Sequence, residues 1–294
     1  SATSGLILAL AACKIGPGDK VLTTPYTFIS TATACLHLGA DVEFADIEKD
    51  SSNNCPEKIE EKLKNDSSIK AIIPVHIAGN ICNMEKICAI AKKYEVYVIE
   101  DSAHAFPAKS KDGWAGTFGD VGVFSFYATK TITTAEGGMV VTSNDELAKR
   151  MTTMRLHGID RPVWDRCTSK KASWEYDVID AGFKFNMPDI LAAIGIEQLK
   201  KADIFLEQRK KIVEKYNKEF SKYDYLILPP DSDGNAWHLY LLGLNLSKLS
   251  ITRNEFAQFL QDRGIGISMH FIPHYKFSIF KHRTDFNEIN FPNT

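Results

Sequence analysis

The stretch "VFSFYATKTITTAEGG", Val123 to Gly138, decides how the chain is read. An apolar run interrupted only by Ser125 leads to a single lysine, Lys130, then to hydroxyl residues, a glutamate and paired glycines. Unbroken apolar runs suit strands covered on both faces, whereas half-exposed strands alternate. The same texture recurs on both sides: "KVLTTP" (20–25), "DVEFADI" (41–47), "IKAIIPVH" (69–76), "VYVIED" (96–101), "GVFSFYA" (122–128) and "GGMVVTS" (137–143). Between these runs lie helical patterns at Ser4 to Lys14, Phe28 to Leu38, Pro56 to Lys64 and Met84 to Tyr94. Strands alternating with helices predict an α/β fold, with a mainly parallel central sheet and helices on both faces. In such sheets ligands bind beyond the carboxyl ends of the strands.

After Asn144 the pattern turns helical, with "DELAKRMTTMRLHG" and then a long amphipathic run from Met187 to Phe220 that reads as an arm or interdomain helix. From about Tyr223, "YLILPP", "AWHLYLLGLNL", "TRNEFAQFLQDRG" and "IGISMHFIPHY" read as a smaller α+β unit, with loops at Pro229, Pro230 and "DSDGNA". The expected division is a large unit over 1–205 and an incomplete small C-terminal unit over 206–294. The opening "SATSGLILALAACKIG" reads as the middle of a unit and the end is equally abrupt, so a piece cut at both ends is expected.

The chain has 294 residues, 44% hydrophobic and 24% charged, enough for one large core and a smaller one. Lys and Arg number 35 against 37 Asp and Glu, a net charge of −2 that offers no basic surface for nucleic acid. No segment approaches the roughly 18 consecutive apolar residues of a membrane span. Six cysteines (Cys13, Cys35, Cys55, Cys82, Cys88 and Cys167) are scattered without CxxC pairs, which reads as reduced cytoplasmic thiols.

Lys130 stands where a buried strand ends. Desolvation there lowers an amine's pKa and frees it for Schiff-base chemistry, although a lone lysine is more often a solvated strand end. Asp101 closes "VYVIED" at an equivalent position, with His104 shortly after. A carboxylate there suits a protonated pyridine nitrogen, or more plainly an N-cap. Ser1, Thr3 and Ser4 open an apolar helix whose free N–H groups and dipole suit a phosphate, and Ser125 offers another hydroxyl. Phe28, after another strand end, suits stacking on a flat ring, or simply a core. A lysine, a strand-end aspartate, a hydroxyl-rich helix start and an aromatic together describe a pyridoxal 5'-phosphate site.

The stretches "IGPGDKVLTTPYTFIST", "IIPVHIAGN", "VIEDSAHA", "GTFGDVGVFSFYATKTITTAEGG", "MRLHG" and "GFKFNMPDILAAIGIEQL", with "AWHLY" and "IGISMHFIPHY", resemble the DegT-type (DegT/DnrJ/StrS) sugar-nucleotide aminotransferases in order along the chain. "SATSG", "GFKFN" and "AWHLY" are most similar to the branch that forms UDP-4-amino-4-deoxy-L-arabinose with 2-oxoglutarate as co-product. The resemblance implies a fold-type I transferase, a homodimer and pyridoxal phosphate carried on Lys130, which also moves the proton of transamination. It further implies Asp101 on the ring nitrogen, Thr3, Ser4 and Ser125 on the phosphate, and Phe28 and His104 on the two ring faces. Where many members carry "GYNYR" this chain has "GFKFN". Lys184 therefore takes the position that reaches across the dimer to the phosphate, and Asn186 replaces an arginine. The implied reaction is ping-pong transfer from L-glutamate to a nucleotide-linked 4-keto-sugar, for cell-surface polysaccharide or lipopolysaccharide. Asn186, His270 and His274 are candidate substrate contacts.

The alternatives are a sugar dehydratase of the same family, or a non-catalytic binding or regulatory protein on the same scaffold. The dehydratases resemble a histidine at the Lys130 position, and retention of Lys130, Asp101 and Ser125 disfavours both. No metal is expected: His270 and His274 are four apart, but Pro273 lies between them. No strand is followed by GxGxxG, and "IGPGDK" lacks Walker spacing. His76 and His157 read as structural polar residues.

Overall fold

The computed structural model describes residues 1–160, 175–232 and 234–294. Cys167 lies outside the described residues, and the other five cysteines are free thiols. The first half alternates as the apolar runs require: α1 (Ala2–Ala12), β1 (Lys20–Thr23), α2 (Ile29–Leu36), β2 (Asp41–Phe44), α3 (Pro56–Asn65), β3 (Ile69–Ile72), α4 (Met84–Tyr94) and β4 (Tyr97–Asp101). Two short strands, β5 (Lys109–Ser110) and β6 (Gly113–Trp114), form a hairpin before β7 (Val121–Ser125), β8 (Gly138–Val141) and α5 (Asp145–Met154).

The central sheet runs β2-β1-β3-β4-β7-β8, parallel throughout except for the last pair. The parallel pairing puts the ends of β1, β3, β4 and β7 on one edge, with Asp101 opposite Val123 in register. Each strand feeds both faces, because successive side chains point to opposite sides. Val21 and Ile99 join the core beneath α1, α2 and α5. Leu22 and Val98 join the core beneath α3 and α4. α1 is apolar almost all round and is buried accordingly, between the sheet and α2 and α5. Gly5 permits that fit, since a Cβ there would meet Val123 Cγ1 at 2.7 Å.

Three expectations need correction. The long helical run is two helices, Asp189–Leu199 and Ala202–Phe220, interrupted at Lys200 and Lys201. Two adjacent lysines leave that junction without an apolar residue to pack. The first of these helices buries no residue, and Ile190, Ile194, Ile196 and Leu199 are exposed. The second correction concerns the division at 205 and 206. The antiparallel pair Leu226–Ile227 with Gly243–Leu244 and the helix Arg253–Gln261 form a modest α+β cluster. Residues 274–294, however, complete the core of the large unit. Phe280, Phe286 and Phe291 surround Phe44 of edge strand β2 at ring-centroid distances of 5.5, 4.6 and 6.3 Å. Arg283 fastens the segment there, donating to Glu43 Oε2 (2.7 Å) and the Val42 carbonyl (3.0 Å). The third is His274, which packs into this aromatic cluster, 5.6 Å from Phe44.

Replacing the fully buried Phe44 by alanine removes the ring that joins β2 to the C-terminal segment. Phe44→Ala is expected to cost about 3–5 kcal/mol in denaturant unfolding. A loss below about 1 kcal/mol would mean that the segment is held mainly by its polar bonds, those of Arg283, His274, Asn293 and Thr294.

Candidate active site

Asp101 ends β4 and is 5% exposed, a position that a carboxylate tolerates only with donors. Thr31, on the first turns of α2, donates its hydroxyl to Asp101 Oδ2 (2.7 Å), and the Ala103 N–H donates to Oδ1 (3.1 Å). Burial raises the pKa of Asp101, opposed by these two bonds and by the charge of Lys130. Lys130 follows the end of β7 in a turn closed by its N–H on the Tyr127 carbonyl (3.0 Å). It is half-buried, and among the described residues its Nζ has no hydrogen-bond or ion-pair partner. Burial lowers its pKa, and the nearby Asp101 carboxylate partly restores it. The lysine and aspartate singled out in the sequence therefore share one crevice and bias each other's charge.

The hydroxyl residues converge at the same sheet edge. Ser125 pairs with Gly138 across β7 and β8, and a Cβ on Gly138 would lie 2.7 Å from the Ser1 backbone. The start of α1 is therefore beside the end of β7. Ser1 caps α1 by accepting from the Ser4 N–H (3.2 Å), and Thr3 and Ser4 are half-exposed there. This leaves N-terminal N–H groups and three hydroxyls near one point, the setting that anions favour. Phe28 immediately precedes α2 and is 58% exposed, a large apolar ring left uncovered.

His104 is buried, and its Nδ1 accepts from the Ala78 N–H (3.3 Å). Its ring stacks on Phe271 at 6.2 Å and touches His238 at 4.5 Å. Burial, then the charge of Lys130, pushes the His104 pKa well below its ordinary value. The same two causes lower His270, and they take His238 down to about 3. Lys130 is thus faced by imidazoles whose pKa values are all pushed down.

Not every candidate joins this cluster. His274 is fully buried, donates Nε2 to the Thr27 carbonyl (2.8 Å) and is lowered to about 4 by burial. It sits in the core, turned inward by packing on Phe44 and Phe280, and not in the crevice. Lys184 and Asn186 lie exposed on a segment bridged to Leu156, hydrogen-bonded to each other. Neither bonds to the crevice residues of this chain. His157 sits in a turn, its N–H on the Phe183 carbonyl. His76 is wholly buried against Glu100 (2.9 Å). Three contributors went unnoticed in the sequence. Thr31 lies one helical turn beyond Phe28, Glu100 precedes Asp101, and His238 is in "AWHLY".

A half-buried lysine whose pKa is lowered, beside a buried carboxylate, suits carbonyl chemistry, and with this sheet it fits the class of pyridoxal phosphate enzymes. The family model of the DegT/DnrJ/EryC1/StrS aminotransferases matches residues 1–294, and the chain belongs to that family. It is 41% identical over 296 residues to the spore coat polysaccharide biosynthesis protein SpsC of Bacillus subtilis, covering 100% of this chain and 75% of that one. It is 40% identical over 285 residues to the UDP-4-amino-4,6-dideoxy-N-acetyl-beta-L-altrosamine transaminase of Campylobacter jejuni, covering 96% and 72%. Among solved structures, the putative sugar aminotransferase Spr1654 of Streptococcus pneumoniae in its PMP-form superposes with a TM-score of 0.90 at 28% identity, covering 100% of this chain and 78% of that one. A PLP-form of the same protein superposes at 0.88. The chain thus spans about three quarters of these relatives. It is a pyridoxal phosphate-dependent aminotransferase of the sugar-modifying type. Among the described residues, no helix is long and apolar enough to cross a membrane.

The buried imidazoles make stability depend on pH. Unfolded, His274 takes up a proton near pH 6.5; folded, it resists until about pH 4. The unfolded state therefore binds more protons as pH falls from 6.5 towards 4, and stability drops by about 1.4 kcal/mol per pH unit from this residue. His274→Gln, which keeps a donor for Thr27, is expected to flatten that part of the slope. Identical slopes in denaturant titrations at pH 7 and pH 5 would place the proton uptake elsewhere.

Proposed function

We propose that this enzyme transfers the amino group of L-glutamate to the ketone carbon of a nucleotide-linked 4-keto-sugar, with Lys130 carrying the proton in both halves. The observation that supports this most is the half-buried amine of Lys130 beside Asp101, without a hydrogen-bond or ion-pair partner among the described residues. The residues fit pyridoxal phosphate: Ser125, Thr3, Ser4 and the first N–H groups of α1 suit its phosphate. Phe28 and His104 suit its two ring faces, and Asp101 suits its pyridine nitrogen. When bound, the cofactor supplies an electron sink for the carbon that loses its proton.

The protein's own part is positioning and proton transfer. Lys130, its pKa lowered by burial, takes the proton from the donor carbon and returns it to the opposite end of the reacting system, within hydrogen-bond reach of both. Asp101 holds its negative charge against the ring nitrogen, its rotamer fixed by the Thr31 hydroxyl. The neutral imidazoles of His104, His238 and His270 add no positive charge that would further depress the basicity of Lys130. In the first half 2-oxoglutarate leaves; in the second the sugar takes the nitrogen.

The sugar nucleotide is proposed to enter past His270 and His238. The relative named for a UDP-4-amino-4,6-dideoxy sugar makes a UDP-linked 4-keto-6-deoxy-hexosamine the first substrate to try, ahead of a UDP-4-keto-pentose. A second copy of the chain is proposed to cover the exposed apolar side chains of helix Asp189–Leu199 and to lend Lys184 to the phosphate and Asn186 to the substrate. Five free thiols among the described residues suit a reducing cytoplasm.

Lys130→Ala is expected to abolish the visible band of the cofactor-loaded protein and lower turnover by at least about 10²–10⁴-fold. A retained band would remove Lys130 from the chemistry. A panel of UDP-, dTDP- and GDP-linked 4-keto-sugars with glutamate, read by mass spectrometry, is expected to give an amino-sugar from a UDP substrate. Amination of none of them, with the glutamate half-reaction intact, would reject the acceptor class.

A further inference from the structure

We propose that Glu100 is a positioning residue that aims Asp101 at the cofactor ring. The inference rests on the reading of Asp101 as the ring-nitrogen partner. Glu100 is wholly buried, yet it is neither in the crevice nor paired with a lysine or arginine. Its two oxygens are instead met by four N–H donors. Oε2 accepts from His76 Nε2 (2.9 Å) and the Gly116 N–H (2.7 Å). Oε1 accepts from the Phe118 N–H (2.7 Å) and the Gly119 N–H (2.6 Å). Hydrogen bonds to an ionised acceptor are the strong ones, and four on one carboxylate leave it little freedom.

The donors are themselves fixed. His76 Nδ1 accepts from the Cys82 N–H (3.1 Å), so it carries no hydrogen and Nε2 must be the donor. Gly116 adopts φ +83°, where a Cβ would lie 2.5 Å from the Phe124 ring, so the loop before β7 is tightly fitted. The backbone completes a two-handed grip. The His76 N–H donates to the Asp101 carbonyl (3.2 Å), and the Asp101 N–H donates to the Pro74 carbonyl (2.9 Å). His76 therefore holds Glu100 through its ring and Asp101 through its main chain. Because consecutive strand residues face opposite sides, locking the Glu100 side chain fixes the rotation of β4 at the residue that turns Asp101 into the crevice.

A glutamine at 100 would match one oxygen but turn an NH₂ towards donors that need an acceptor, displacing the loop or the strand end. The test uses protein loaded with pyridoxal phosphate labelled with ¹⁵N at the ring nitrogen, whose NMR shift reports protonation there. Wild type is expected at the protonated position and Asp101→Ala at the free-base position. Glu100→Gln should move in the same direction as Asp101→Ala, with turnover lower by about 10²-fold, the scale of a 1 Å misplacement. Should Glu100→Gln not fold, His76→Leu, which keeps the three backbone donors, carries the same expectation, and His76→Gln should restore the signal by returning an N–H. A purely structural Glu100 would lower the melting temperature and leave the nitrogen signal at the wild-type position, which overturns the inference. An unmoved signal in Asp101→Ala overturns the Asp101 reading, and this inference with it.

Discussion

Two consecutive carboxylates must be buried at the end of one strand, and most of the crevice follows from how that is achieved. An unpaired buried carboxylate is too costly to persist, so each must find donors within its own half of the sheet. Glu100 and Asp101 point to opposite faces and draw on different elements. Asp101 takes a hydroxyl from α2 and a main-chain N–H. Glu100 takes His76 and the loop ahead of β7. Satisfying both at once ties β3, β4, α2 and the approach to β7 together at the edge where chemistry occurs.

Desolvation at that edge acts on acids and bases in opposite senses. It raises Asp101 and lowers Lys130, while the charge of each opposes the effect of burial on the other. It also keeps His104, His238 and His270 uncharged. Lys130 and Asp101 are thus charges that act on each other there, with Arg209 also acting on His238. The start of α1, with its N–H groups and hydroxyls, offers a setting that suits negative groups on a ligand.

The central sheet was legible because run length and texture mark where buried strands stop. Two of those stops are Asp101 and Ser125, and Lys130 follows in the turn after β7, so the sequence directed attention to this edge of the sheet. What escaped the sequence depends on contacts between distant segments. His274 faces the core because Thr27, remote in the chain, offers its carbonyl. Residues 274–294 belong with the large unit because Phe44 gives their aromatic rings a surface. Glu100 looked like part of the strand body, since nothing in alternation reveals that four donors will converge on a buried charge. The break at Lys200 and Lys201 was hidden by good helix formers on both sides.

The C-terminal segments approach the crevice through main-chain bonds. The Ala236 N–H reaches the Gly79 carbonyl (3.0 Å), and the Leu239 N–H reaches the Ala78 carbonyl (3.2 Å). The Tyr26 hydroxyl donates to the His270 carbonyl. Such bonds hold the segments in place largely independently of the side chains they present. His238 and His270 are thus presented from segments docked on the sheet, whereas Asp101 is held within it. Strand ends and the loops docked against them are held by different bonds, a separation that lets a scaffold keep one part while varying another.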